Sequence, residues 1–223
     1  MQPLEPASLL SLLDGVGIRL PRGAAEKLAI HAGEMLRWNR SIRLTAITAP
    51  EEVAVKHILD SLLLLAFAPF PGRTMDFGSG AGYPGIPLAI ALPEARLVLL
   101  ESSAKKCAFL SRVCSLLRLE NADVVRARLD PKRPLPLGRF EQIVTRATLP
   151  FPDAARLLVP YLSPGGRLVL SSGPGEADRR AGRGRPGGEL PPGARDGRRT
   201  RVSLPYGMGS REIREILAEG EAP

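Results

Sequence analysis

The sequence predicts an α/β fold, a doubly wound and mostly parallel sheet with an N-terminal helical cap. Three observations predict it. Residues 5–67 carry only helix-period apolar patterning, whereas from about residue 74 short apolar runs alternate with helical segments. Between the first such run and the helix after it lies a turn that is almost bare of side chains, "GSGAGYPG" at 78–85.

Taken in order, "LEPASLLSLLDG" reads as a helix ending at Gly15, and "PRGAAEKLAIHAGEMLRW" as a second helix running to Asn39. A third helix is expected over "TAPEEVAVKHILDSLLLLAF", with Thr48 as its cap, Glu51 three residues on and Pro50 in the first turn, where a missing N–H costs little. These helices form a cap over residues 1–70, and the sheet domain is expected over 71–223. "TMDF", "ARLVLLE", "ADVVRAR", "FEQIVTR" and "GRLVLSS" read as successive strands. "PGIPLAIAL", "AKKCAFLSRVCSLL" and "PDAARLLVPYL" read as the helices between them, which requires crossover connections and parallel pairing. Residues 173–201 hold twelve Gly or Pro and eight Arg, so this stretch is expected to be a mobile basic loop. "RTRVSLPYGMGSREIREIL" then offers a strand and a glycine-rich turn that would close an antiparallel hairpin on the sheet edge.

A length of 223 residues bounds the chain to one main domain. The formal charge of +8 and pI near 10.2 favour an anionic partner, with nucleic acid ahead of a membrane surface. Cys107 and Cys114 are the only cysteines and read as reduced thiols, and with only His31 and His57 beside them no zinc-ligand spacing can be assembled, so no metal is expected. "MQPLEPASLL" has no basic leader and "ILDSLLLLAFAPF" is too short and too acidic at Asp60 to span a bilayer, so a cytoplasmic protein without membrane contact is expected. A monomer is expected.

In a doubly wound sheet ligands bind beyond the carboxyl ends of the strands, which is where the glycine turn falls. Gly78, Gly80 and Gly82 can take positive φ and let a ligand approach the backbone. Gly80, Gly82 and Gly85 with Glu101 also satisfy a dinucleotide fingerprint, which keeps an NAD(P)-dependent oxidoreductase open as an alternative. Two acids favour S-adenosylmethionine (SAM): Asp76, to balance its amino group directly or through water, and Glu101, to accept its ribose hydroxyls. A pyrophosphate would be repelled by an acid at Asp76.

The run "DFGSGAGYPGIPLAI" at 76–90 resembles the signature of the bacterial small-subunit ribosomal RNA (guanine-N7) methyltransferase family, also called glucose-inhibited division protein B. "LTAIT" at 44–48, "HILDSL" at 57–62, "ESSAKKCAFL" at 101–110 and "VTRA" at 144–147 extend the resemblance over roughly residues 35–172. It implies a class I SAM-dependent methyltransferase of Rossmann-like fold acting on 16S ribosomal RNA or the small ribosomal subunit. For the cofactor it implies contacts from Gly78, Gly80, Tyr83, Glu101, the pair Leu129 and Asp130, and Arg146. Ser172 before Gly173 and Arg43 depart from the family's usual Lys-Gly and Asn.

No catalytic residue is named, because guanine N7 has an in-plane lone pair and no proton to lose, and "TRATLP" after the fourth strand holds neither Asp nor Asn. His57, Asp60 and Ser61 share one helical face and read as a cap-to-sheet hydrogen-bond network rather than a catalytic triad. Lys105 and Lys106 read equally as a solvated face or as phosphate contacts, and a non-catalytic SAM- or RNA-binding module is the remaining alternative.

Overall fold

The computed structural model describes residues 4–67, 72–146, 149–173 and 190–220. Helices α1 (Pro6–Asp14) and α2 (Ala24–Trp38) lead into a continuous helical run: α3 (Pro50–Val53), a π-helical stretch at Ala54–Leu59, α4 (Asp60–Leu62) and a 3-10 turn at Leu63–Phe67. The run starts later than the sequence suggests. Ala49 occupies the cap position and no side chain caps it, so Thr48 does not take that role. Pro50 opens the helix because its fixed φ suits the first turn and its missing N–H removes one of the donors left unpaired there.

Seven strands follow: β1 (Arg73–Phe77), β2 (Arg96–Glu101), β3 (Ala122–Arg126), β4 (Phe140–Arg146), β5 (Leu162–Ser172), β6 (Ala194–Ser203) and β7 (Ser210–Ala218). Between them lie α5 (Gly85–Ala91), α6 (Ala104–Leu117) and α7 (Phe151–Leu158). The strands run in the order β3-β2-β1-β4-β5-β7-β6. The first five pair in parallel, and β7 inserts antiparallel between β5 and β6. The expected hairpin is therefore present, with its second strand against the sheet and its first strand at the edge.

One part of the expected basic loop is corrected. Residues 194–201 form most of the edge strand β6, while residues 174–189 lie outside the described residues. No apolar alternation betrays this strand because most of it is solvent-exposed. It is held by its ladder to β7 and by cross-strand pairs such as Arg199 with Glu212, at 2.8 Å.

The sheet buries both faces. Leu97, Leu99, Val144 and Val169 pack toward α2, α5, α6 and the helical run, in one core that also takes Leu9, Leu28, Ile58 and Phe67. The opposite face carries Met75, Leu100, Ile143 and Leu168 under Phe151, Ala154 and Leu158 of α7. Burial on both faces explains why these strands read as unbroken apolar runs. A polar anchor sits where α5 hands over to β2: the Asn121 amide donates to the carbonyls of Ala89, Leu92 and Ala95, at 3.0, 3.1 and 3.1 Å.

Asn121→Ala strands those carbonyls and should cost about 1–3 kcal/mol. Asn121→Asp, which aims a carboxylate at three carbonyl oxygens, should cost more than Asn121→Ala in urea-unfolding measurements.

Candidate cofactor site

The β1–α5 connection turns on Gly78, Gly80 and Gly82, all with left-handed φ, at 76°, 56° and 86°. A side chain is disfavoured there, and the backbone stays open to its surroundings. Gly85 is needed for space instead: a Cβ there would collide with the side chains of Asp76 and Leu99. The turn is pinned from β2, because Gly78 and Ser79 donate to the Leu100 carbonyl at 2.9 and 3.1 Å. Gly80 N–H donates to Glu101 Oε2 at 3.0 Å.

Glu101 is buried and also accepts from Ser103 N–H, at 2.8 Å on Oε1. Its carboxylate thus fixes the turn on one side and the start of α6 on the other. It forms one wall of a crevice of about 340 Å³ that continues over Phe77, Gly78, Leu129, Leu149 and Leu157. This is the carboxyl end of β1 and β2, where such sheets hold their ligands.

Three of the predicted residues, Gly78, Glu101 and Leu129, therefore meet in one cavity, and Gly80 is tied to it through Glu101. Asp130 does not join them: it is exposed and its carboxylate accepts from the Lys132 N–H, closing its own turn. Leu149 and Leu157 also line the cavity and carry no sequence signal for that role. Leu157 carries the helical spacing of α7, but nothing in that spacing tells a cavity wall from core.

Tyr83 and Arg146 belong to a second cluster on the other side of the turn. The Tyr83 ring lies between His31 and His57, with ring centroids 4.5 and 4.6 Å away, and the Arg146 guanidinium sits 5.6 Å over it. Arg146 donates to the Lys56 carbonyl, to Asp60 Oδ2 and to His57 Nδ1, at 2.8, 3.1 and 3.0 Å. With Nδ1 accepting, the His57 proton resides on Nε2 and is donated to Thr45 Oγ1 at 2.8 Å. Asp60 further accepts from Arg211 and Ser171. The expected cap-to-sheet network is thus built from His57 and Asp60, whereas Ser61 donates only to the His57 carbonyl of its own helix.

Asp76 is also placed differently from expectation. It is fully buried, outside the crevice lining, and its Oδ2 accepts the Gly85 N–H at the start of α5, at 3.0 Å. Burial raises its pKa to about 7. In this position Asp76 ties the turn to the start of α5, and its Oδ1 has no protein partner among the described residues. It also occupies the helix start where a dinucleotide would seat its pyrophosphate. Lys105 is exposed and Lys106 half-buried at the start of α6. Cys107 and Cys114 are buried free thiols. Among the described residues no group of side chains could hold a metal ion, and no helix is long and apolar enough to cross a membrane.

A family model described as rRNA small subunit methyltransferase G matches residues 24–181. The chain belongs to that family. The ribosomal RNA small subunit methyltransferase G of Geobacter sp. (strain M21) is 36% identical over 163 residues, which is 73% of this chain and 75% of that protein. Its counterpart in Pseudomonas aeruginosa is 39% identical over 142 residues, covering 64% and 65%. A putative O-methyltransferase from Klebsiella pneumoniae shares the fold with a TM-score of 0.61 at 16% identity, over 96% of this chain and 97% of that one. An O-methyltransferase from Bacillus cereus, solved in complex with SAH, gives 0.59 at 15% identity over 95% and 97%. Membership in the methyltransferase G family sets aside the oxidoreductase alternative, in agreement with the antiparallel β7 that departs from the dinucleotide-binding strand order.

Burial lowers the pKa of His31 to about 4, and burial with the nearby Arg146 charge lowers that of His57 to about 3. Both are neutral when folded but free to protonate when unfolded, so stability is present above about pH 6.5 and is lost as pH falls toward those values, by about 1.4 kcal/mol per unit for each histidine. Asp76, raised to about 7, works the other way, because its folded carboxyl takes up a proton as pH falls while the unfolded one stays ionised. Between pH 7 and pH 5 the urea midpoint should therefore fall by less than the two histidines alone would give, and His57→Asn should abolish most of the fall.

Proposed function

We propose that this chain transfers a methyl group from SAM to N7 of a guanine in 16S ribosomal RNA, as naked RNA or within the small ribosomal subunit, in the cytoplasm. The observation that carries the reading is that the family match over 24–181 contains the whole crevice, with bare Gly78, the Glu101 carboxylate and the Leu129 wall facing one space. Those residues suit the cofactor chemically. A carboxylate only accepts hydrogen bonds, so Glu101 fits a ribose diol, while Leu129, Leu149 and Leu157 offer apolar surface to an adenine. Gly78 leaves room for close approach at the turn.

When bound, SAM supplies an electrophilic methyl group on a sulfonium. The protein's own part is to align it: Glu101 and the turn fix one end, and the Arg146–His57–Tyr83 cluster holds the turn against the helical run. No residue has to remove a proton, because N7 carries none. Bringing nucleophile and methyl to about 3 Å supplies the acceleration. N7 lies on the edge that A-form RNA hides in its deep groove, so an unpaired or everted guanine is the target.

The purified protein, incubated with labelled SAM and small-subunit RNA from cells lacking it, should transfer label to a guanine. Absence of transfer to both naked RNA and subunits would reduce the protein to a binding module. Glu101→Gln should weaken SAM binding by about tenfold in calorimetry, the loss of roughly one charge-assisted hydrogen bond.

A further inference from the structure

The edge of the sheet far from the crevice strands is strongly basic. The hairpin β6–β7 carries six arginines, at 195, 198, 199, 201, 211 and 214, against three acids. Arg199 and Arg201 lie on the outermost strand with side chains 61% and 70% exposed, each paired to Glu212. Because β7 is antiparallel to both β5 and β6, β6 points the same way as the parallel strands. Its carboxyl end, and the turn Pro205–Gly207 beyond it, therefore lie at the same end of the sheet as the crevice.

That turn holds Tyr206, which is 76% exposed and whose backbone is left-handed, with φ 55° and ψ 29°. An aromatic residue in this conformation is strained. Tyr206 overhangs a groove of about 290 Å³ walled by Leu9 and Leu12 of α1 and by Pro50 and Val55 of the helical run. Glu5 and Glu51 also line it, and their charge turns phosphate away, so a flat neutral group fits and an anion does not.

We infer that the β6–β7 hairpin carries the single-stranded rRNA flanking the target guanine, with Arg199 and Arg201 along its phosphates and one unpaired base stacked on Tyr206 over the groove. The inference rests on the rRNA-methylating function proposed above and adds the surface that holds the substrate. Exposed aromatic rings and basic side chains in sequence are what single strands recognise: every base has a face to stack, and each neutralised phosphate releases counterions.

The test measures binding of a fluorescent small-subunit rRNA fragment by anisotropy across a salt series, with SAM affinity and thermal midpoint followed in parallel. Tyr206→Gly should relieve the strained φ and leave the midpoint unchanged or higher, while weakening RNA binding by about tenfold at every salt concentration. Tyr206→Asn, which also tolerates this backbone, should do the same, and Tyr206→Phe should restore binding. The double variant Arg199→Ser, Arg201→Ser should make the slope of log affinity against log salt shallower by about 1.4, with SAM binding intact, and the corresponding double Lys variant should return it. RNA affinity and salt slope equal to wild type in the Tyr206 and Ser variants, in a protein that still methylates rRNA, would overturn the inference. A wild-type protein that neither binds nor methylates rRNA would instead overturn the reading on which it rests.

Discussion

The buried carboxylate of Asp60 is the interaction on which the geometry of this protein depends. It is 1% exposed, and around it converge Arg146 from β4, Ser171 from β5 and Arg211 from β7. Three strands are thereby tied to one point on the helical run. A carboxylate taken this far from water is tolerable only because two guanidiniums face it, and removal of either partner leaves an uncompensated charge. The consequence passes outward through Arg146, whose remaining donors hold the Lys56 carbonyl and His57, and through His57 to the stacked ring of Tyr83. Tyr83 is part of the glycine turn. The helical layer, the sheet and the turn are thus registered by one chain of polar contacts rather than by apolar packing alone.

The turn solves a second problem, which is to present open backbone at the sheet's carboxyl end without letting it collapse. Left-handed glycines give the opening. Buried acids on either side give the rigidity, Asp76 by accepting the Gly85 N–H from below and Glu101 by accepting the Gly80 N–H from β2. The two carboxylates are alike in sequence, each ending a strand, yet they do different things. Asp76 is buried beneath the turn and holds the Gly85 N–H, while Glu101 shares its oxygens between the backbone and the cavity wall.

Most of the architecture could be read from the residues, because strands buried on both faces appear as short apolar runs and the helices between them carry their own period. The turn was equally plain, since no other local structure needs so many glycines between a strand and a helix. What the sequence concealed has physical reasons. β6 has almost no apolar alternation, because its partners are ions on β7 and solvent. Asp60 and Arg211 are 151 residues apart, and no local pattern links them. The distinction between Asp76 and Glu101 depends on which side of the turn each side chain falls, and Asp130, which the resemblance pairs with Leu129, lies where the chain reverses and is exposed.

Where the cofactor binds decides whether the glycine turn and Glu101 form its site. A crystal structure of the protein with S-adenosylhomocysteine is the most direct test: the nucleoside should fill the crevice over Gly78, with its ribose hydroxyls on Glu101 and its base against Leu129. A nucleoside bound elsewhere, or a crevice left empty at saturating concentration, would contradict it.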